Sequence, residues 1–313
     1  MTSSLSCAIP LPAGFRVDDV LAFHGRDAQG IAEQIDGRVL RKGLMWQGRP
    51  ACLTIRFASG KVFVTLAIDG HAPVAKAFAV ADWVRRMLGL TQPVEEFEAA
   101  ARRHPQLGPL VTRQAGLRVP LAATPFEALT WAITGQQISV AAAIGIRRRL
   151  MLLTGLTHSS GLACHPDAEG IAALGTSDLR DAGFSQAKAQ ALLDLSREFV
   201  ARRLPLEAWS EAIPADEIRE RLLSLRGIGP WTVNYALLRG FGWLDGSLHG
   251  DVAVRRKLQI LLGVQERLTE DFTQRWLADF SPWRALVAAH LWAMPAGLAR
   301  GQRRRRFAEN CDA

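Results

Sequence analysis

Residues 222–251 read LLSLRGIGPWTVNYALLRGFGWLDGSLHGD. Leu222, Leu223 and Leu225 are apolar at helical spacing. The run breaks at Arg226-Gly227-Ile228-Gly229 and restarts at Pro230, a residue favoured at a first helical position because its missing N–H has no helical partner there. Two glycines let the backbone turn sharply and approach another surface closely. The stretch therefore predicts helix, tight hairpin, helix. The N–H groups of Gly227, Gly229 and the first residues after Pro230 lack intrahelical acceptors and lie at a helix's positive end, an arrangement that suits a phosphate oxygen. On geometry alone an ordinary helical hairpin with a glycine corner accounts for the same residues.

The whole chain bounds the reading. Its 313 residues can bury a sizeable core and suit two or three domains. An apolar content of 49% and a charged content of 22% fit a folded globular protein. No run approaches the length of a transmembrane helix, and the N-terminus lacks the basic start and apolar core of a secretory signal. The cytoplasm is the default compartment. A net charge of +8 permits attraction to a polyanion without specifying one. The run Arg303–Arg306 reads as a solvated basic tail over residues 295–313, for which a nucleic-acid contact is the alternative. Cys7, Cys52, Cys164 and Cys311 are scattered, which excludes a zinc ribbon and a disulfide framework as sequence-level readings.

Periodicity divides the rest. Residues 1–115 read as an α+β domain with a small antiparallel sheet: a short helix near 18–22, strands over 37–46, 52–57 and 61–66, a hairpin at Ala58-Ser59-Gly60, and a helix over 73–89 that includes Val74. Residues 116–294 read as helices only. Thr124-Pro125-Phe126-Glu127 is a capping box, and another helix starts near Ser139 and ends near Gly155. Short helices are expected near 168–174, 177–182 and 186–203. The hairpin pair follows, then helices near 251–262, 269–278 and 282–293, the last opened by Ser281-Pro282.

The run Leu225–Tyr235, with Gly250-Asp251 following twenty residues after its tryptophan, resembles the helix-hairpin-helix, Gly-Pro-Asp superfamily of base-excision DNA glycosylases. Gly116–Pro120 and Phe126-Glu127…Gly135-Gln136-Gln137-Ile138-Ser139-Val140 resemble the same superfamily's entry into its helical half, and the likeness is greatest to its 3-methyladenine glycosylase II branch. The resemblance implies a glycosylase that acts as a monomer on double-stranded DNA containing alkylated bases, at the nucleoid and not at a membrane. It also implies an active-site cleft within residues 116–294. It implies no required cofactor. The four clustered cysteines that hold an iron–sulfur cluster in some relatives have no counterpart here. A sodium or potassium ion on the carbonyls of Leu223, Leu225 and Ile228 is implied, with no side-chain metal ligand.

Breaking a base from deoxyribose leaves positive charge on the sugar, which a carboxylate stabilises while orienting the attacking water. The resemblance puts Asp251 in that role; its structural alternative, a cap on the helix that follows, is compatible with it. Asp245 reads as a turn residue, and His249-Gly250 leaves no second acid for a dyad. Trp231 stands where strand-nicking relatives carry a lysine, so no Schiff base can form there. Trp231, Tyr235 and Trp292 match the family's base-pocket aromatics, whose faces attract a cationic alkylated purine; core packing is the alternative for each, and the default for Trp276 and Trp283. Gly227, Gly229 and Thr232 are the expected phosphate contacts. Gln137 matches the residue that fills the gap left by a flipped base, where relatives carry an apolar wedge. Arg226, Arg255, Arg256 and Lys257 are further phosphate candidates. Two other functions stay open: excision of an oxidised or deaminated base, and non-catalytic DNA binding through the hairpin.

Overall fold

The computed structural model describes residues 2–70 and 77–295. Val74 and the Arg303–Arg306 run lie outside them. Five strands, β1 (Thr2–Pro10), β2 (Glu33–Asp36), β3 (Val39–Trp46), β4 (Arg49–Ala58) and β5 (Lys61–Asp69), form one antiparallel sheet in the order β1-β5-β4-β3-β2. The expected hairpin is present, with Ala58 paired to Lys61 across a left-handed Gly60. Strand β1 was not anticipated. Its stretch Ser-Leu-Ser-Cys-Ala-Ile alternates sides, but only Leu5, Cys7 and Ile9 meet the core, too sparse an apolar signal to announce a strand. Helix α1 (Val17–His24) and helix α2 (Ala77–Met87) add Val17, Val20, Val80, Val84 and Met87 to the same core as Leu53, Ile55, Leu66 and Ile68.

The compact units do not follow chain order. One comprises Met1–Thr91 with Pro120–Gly242; the other comprises Gln92–Val119 with Trp243–Ala313. Residues 92–119 carry two helices missing from the sequence reading, α3 (Val94–Ala101) and α4 (Leu107–Arg113). They belong to the second unit because Phe97 packs on Trp283 and His290, with ring centroids 6.0 and 5.2 Å away. Gln114 and His290 also share a 2.7 Å hydrogen bond. The neck of this segment is tied by one side chain: the Gln92 amide donates to the Val119 carbonyl and its oxygen accepts from the Val119 N–H, both at 2.8 Å.

Besides α1 and α2, the first unit holds the helices α5 (Pro125–Gly135), α6 (Val140–Thr154), α7 (Ala168–Ala172), α8 (Thr176–Asp181), α9 (Gln186–Val200), α10 (Leu206–Ala212), α11 (Ala215–Leu223) and α12 (Pro230–Ala236). Of these eight, only α10 is absent from the sequence reading. A wider π turn (Leu237–Phe241) continues α12. The Thr124 hydroxyl accepts from the Glu127 N–H at 3.0 Å, as the capping box requires. The Glu127 carboxylate does something else: one oxygen accepts from the Ala123 N–H, and the other takes Lys42 at 2.7 Å and Arg147 at 3.0 Å. Lys42 also reaches Glu33 at 2.5 Å, and Arg147 clasps Glu33 with both terminal nitrogens. Two cations and two anions are thus buried together, joining β2 and β3 to α5 and α6. Burial pushes the Glu127 carboxyl up, but Lys42, His165 and Arg147 outweigh it and hold the group at about 2.

The second unit completes the chain with α13 (Val252–Leu262), α14 (Glu270–Ala278) and α15 (Arg284–Trp292). Helix α15 starts at Arg284, two residues later than Ser281-Pro282 suggested. That pair is a cis peptide, and the Ser281 hydroxyl donates to Asp245. Trp276 packs against Phe280 and Trp283 against Phe97, each remaining partly exposed and not in the buried core expected of them.

Candidate functional site

Helix α11 ends after Leu223, and α12 opens at Pro230, with Gly229 extended just before it. The two hairpin glycines differ in kind. Gly227 has φ +87, and a Cβ there would lie 2.9 Å from the Ala191 methyl, so the fold itself demands glycine. Gly229 has φ −104, a conformation any residue adopts, and no atom lies within 4 Å of where its Cβ would be. Folding therefore gives no reason for glycine at 229, whereas close approach of an external backbone does.

Thr232 lies in the first turn of α12. Its side chain is buried at 2% exposure, and its hydroxyl accepts a 2.9 Å hydrogen bond from the Gln136 amide. The same amide nitrogen donates to the Gly227 carbonyl at 3.0 Å. Thr232 thus braces the hairpin with its side chain, which leaves its backbone N–H, in the first turn of α12, as the group able to meet a phosphate. Among the carbonyls expected to hold a cation, Leu225 accepts from the Ile228 N–H at 3.2 Å. No His, Cys, Asp or Glu cluster suited to a metal occurs among the described residues.

Trp231 and Tyr235, four residues apart on α12, stack with ring centroids 5.3 Å apart and planes 29° from parallel. Trp231 is half-buried and Tyr235 nearly covered. Tyr235 lines a cavity of about 490 Å³, counting space open to solvent, together with Phe23, Arg26, Trp131 and Arg239. Two guanidiniums sit over the Phe23 ring, Arg26 at 4.2 Å and Arg239 at 4.5 Å, and Arg26 also lies 4.8 Å from the Trp131 ring. Burial lowers the Arg239 group to about 10. These four residues were missed in the sequence. Phe23 and Arg26 lie in a part of the chain without motif, and a lone Trp131 inside an apolar helix reads as core.

The second unit holds Asp251 and Trp292 together. Asp251 caps α13: its Oδ1 accepts from the Val254 N–H at 2.9 Å, and the same oxygen accepts from the Trp292 indole N–H at 3.2 Å. The carboxylate is half-buried at the positive end of a helix, where a negative charge is favoured. The capping bond thus leaves the carboxylate partly open to solvent. Trp292 meets Asp251 through its N–H, an engagement not anticipated for a stacking residue. Asp245 is structural: Arg284 grips it at 2.7 and 2.9 Å. Burial raises that carboxyl, but the Arg284 and Ser281 hydrogen bonds outweigh it and leave it below its ordinary range. His249 bonds Ser247 at 2.9 Å.

Gln137 is exposed at the turn between α5 and α6, with φ +55, followed by half-exposed Ile138. Of the basic candidates, Arg255 pairs with Glu270 at 3.0 Å and Lys257 donates to the Met294 carbonyl, while Arg226 and Arg256 face solvent.

Residues 130–282 match the HhH-GPD superfamily base excision DNA repair protein family, and residues 8–124 match the AlkA N-terminal domain. The chain is 31% identical over 190 residues to the DNA-3-methyladenine glycosylase 2 of Escherichia coli, covering 59% of this chain and 63% of that one. It is 23% identical over 289 residues to the DNA-3-methyladenine glycosylase of Bacillus subtilis, covering 91% and 95%. Its fold is that of the 3-methyladenine DNA-glycosylase of Archaeoglobus fulgidus, with a TM-score of 0.74 at 22% identity over 91% of this chain and 97% of the other. Among the described residues no helix is long and apolar enough to cross a membrane.

Proposed function

The chain belongs to the HhH-GPD superfamily of base excision DNA repair proteins, joined to an AlkA-type N-terminal domain, and from that premise we propose that it is a monofunctional glycosylase that removes alkylated purines from duplex DNA. The observation that carries this reading is the Asp251 carboxylate, fixed by the Val254 N–H and the Trp292 indole on one oxygen. Alkylation at N3 or N7 makes the purine cationic. The N-glycosidic bond then breaks with its electron pair leaving on the base, and the base departs neutral. Asp251 stabilises the positive sugar left behind; water adds at the same carbon and gives up a proton, leaving an abasic site and an intact strand. Trp231 and Tyr235 supply stacked ring faces of the kind that hold a flipped, charged base, each such contact contributing roughly 0.5–2 kcal/mol.

The hairpin serves the DNA backbone in this reading, with a phosphate on the N–H groups of Gly229 and the first turn of α12. A monovalent ion on the carbonyls of Leu223, Leu225 and Ile228 is compatible with that grip, and no iron–sulfur cluster takes part. The protein works as a monomer. The two glycines give a separable test. Gly229→Ala is expected to leave the thermal midpoint unchanged while weakening DNA binding about tenfold, since a lost charge-assisted hydrogen bond is worth roughly 1.5–3 kcal/mol. Gly227→Ala is expected to lower stability itself, by about 1–3 kcal/mol, through its left-handed φ and the Ala191 contact. Equal loss of stability in both variants would contradict the phosphate role of Gly229.

Tryptophan at 231 leaves no amine to attack the sugar, so water is the nucleophile. Borohydride added during turnover on methylated duplex should therefore trap no protein–DNA adduct; a covalent adduct would overturn the monofunctional reading.

A further inference from the structure

Gln136 stands at the end of α5 with φ −54 and ψ 126, which carries the chain out of the helix. Gln137 follows at φ +55, a left-handed conformation that residues with a Cβ adopt only at an energetic cost. The exposed tip must therefore be held by its surroundings, and what holds it is the hairpin. A primary amide nitrogen carries two hydrogens, and the Gln136 Nε2 has two acceptors, the Gly227 carbonyl at 3.0 Å and the Thr232 hydroxyl at 2.9 Å. Gly227 is the left-handed corner of the hairpin, and Thr232 lies in the first turn of α12. A second brace acts two residues earlier, where the Lys188 ammonium donates to the Thr134 carbonyl at 2.9 Å. One side chain thus ties the segment that would grip a phosphate to the residue next to the one that would enter the base stack.

We propose that Gln136 is a positioning residue that fixes the Gln137 tip in register with the phosphate-binding hairpin, so that capture of a backbone phosphate and filling of the vacated stack are one coupled event. This rests on the glycosylase reading above. The phosphate is met by backbone N–H groups, which remain when the amide is removed, so Gln136 governs extrusion of the base more than affinity for the duplex. Neither bond of the tie joins charged groups, and the Thr232 hydroxyl is buried, so the tie is insensitive to salt.

The test uses the full chain and a duplex carrying one alkylated purine beside a fluorescent base analogue whose emission rises when its neighbour unstacks. Gln136→Met keeps the length and packing of the side chain and removes both donors. It should slow the unstacking phase by about tenfold or more, the scale expected of misplacing a working group. Affinity for an abasic-site analogue and its salt dependence should stay within about twofold of the unaltered protein. Combining Gln136→Met with Gln137→Ala should slow unstacking no further than Gln137→Ala alone, because the two residues act as one unit. Unstacking at the unaltered rate in Gln136→Met, or full additivity of the two losses, would overturn the positioning role. If the unaltered protein released no base and unstacked none, the glycosylase reading itself would fall, an outcome distinct from either of these.

Discussion

Asp251→Asn lowers base release by about 10²–10³-fold or more, the loss that follows when one preorganised electrostatic group is removed from a developing charge. Asparagine is the informative replacement because it separates the two roles of the side chain. Its carbonyl oxygen still accepts from the Val254 N–H and the Trp292 indole, the two bonds now made by Oδ1. Asn and Asp cap helices about equally well, so the thermal midpoint should move by no more than a few degrees. Binding to an abasic-site analogue, which develops no charge at the sugar, should persist. Single-turnover release of methylated base, measured beside a melting curve, distinguishes the cases. A variant with unaltered release would remove Asp251 from the chemistry and leave it a helix cap. A variant that unfolds would show the cap to be its main task.

Lys42→Met is the substitution expected to damage stability most. Lys42 is fully buried and neutralises Glu33 and Glu127 at 2.5 and 2.7 Å. Without it, two carboxylates face Arg147 alone, and removing one member of a buried ionic cluster typically costs about 3–5 kcal/mol. The pH dependence identifies the cause. In the native protein burial works against the Glu33 and Glu127 charges, but Lys42 and Arg147 prevail and hold both carboxyls below their ordinary range, Glu127 at about 2. Their contribution is therefore complete above pH 4.5, the ordinary glutamate value, and fades as pH falls toward about 2. In the variant a proton on one carboxylate restores neutrality, so its deficit should shrink on acidification.

The unaltered protein has an earlier acid limb as well. Burial, with Lys42 adding to it at His24, lowers His24 to about 3, and burial lowers His165 to about 4. Both stay neutral in the fold while the unfolded chain takes up protons below pH 6.5, so stability falls from there downward. Each histidine contributes a slope of up to about 1.4 kcal/mol per pH unit. Chemical denaturation from pH 7.5 down to about 2 checks both parts. A Lys42→Met deficit below about 1 kcal/mol at pH 7 would mean the cluster is dispensable.

The hairpin was legible because its signals are local. Gly-x-Gly-Pro fixes the turn and the helix start within four residues, and the acid at 251 sits at a helix-capping position followed by an apolar run. What escaped was long-range. The bond from Trp292 to Asp251 spans forty-one residues of sequence, and no periodicity marks it. Gln136 and Thr232 are ninety-six residues apart, so nothing local marks the Thr232 hydroxyl as the group that Gln136 grips. Phe23, Arg26 and Arg239 gather around one cavity only after the sheet and helices have packed. Strand β1 and helix α10 were lost to weak local signals, one nearly polar and the other seven residues long. The attribution of residues 92–119 to the second unit depends on the Phe97 packing and the Gln92 tie, neither of which a pattern of apolar residues can express.

The most direct test is chromatographic analysis of what the full protein liberates from a methylated duplex. Free 3-methyladenine should appear together with an equal number of alkali-labile abasic sites, on strands that stay unbroken until alkali is added. A duplex that keeps all its methylated bases, or strands cut without any free base appearing, would contradict hydrolytic excision.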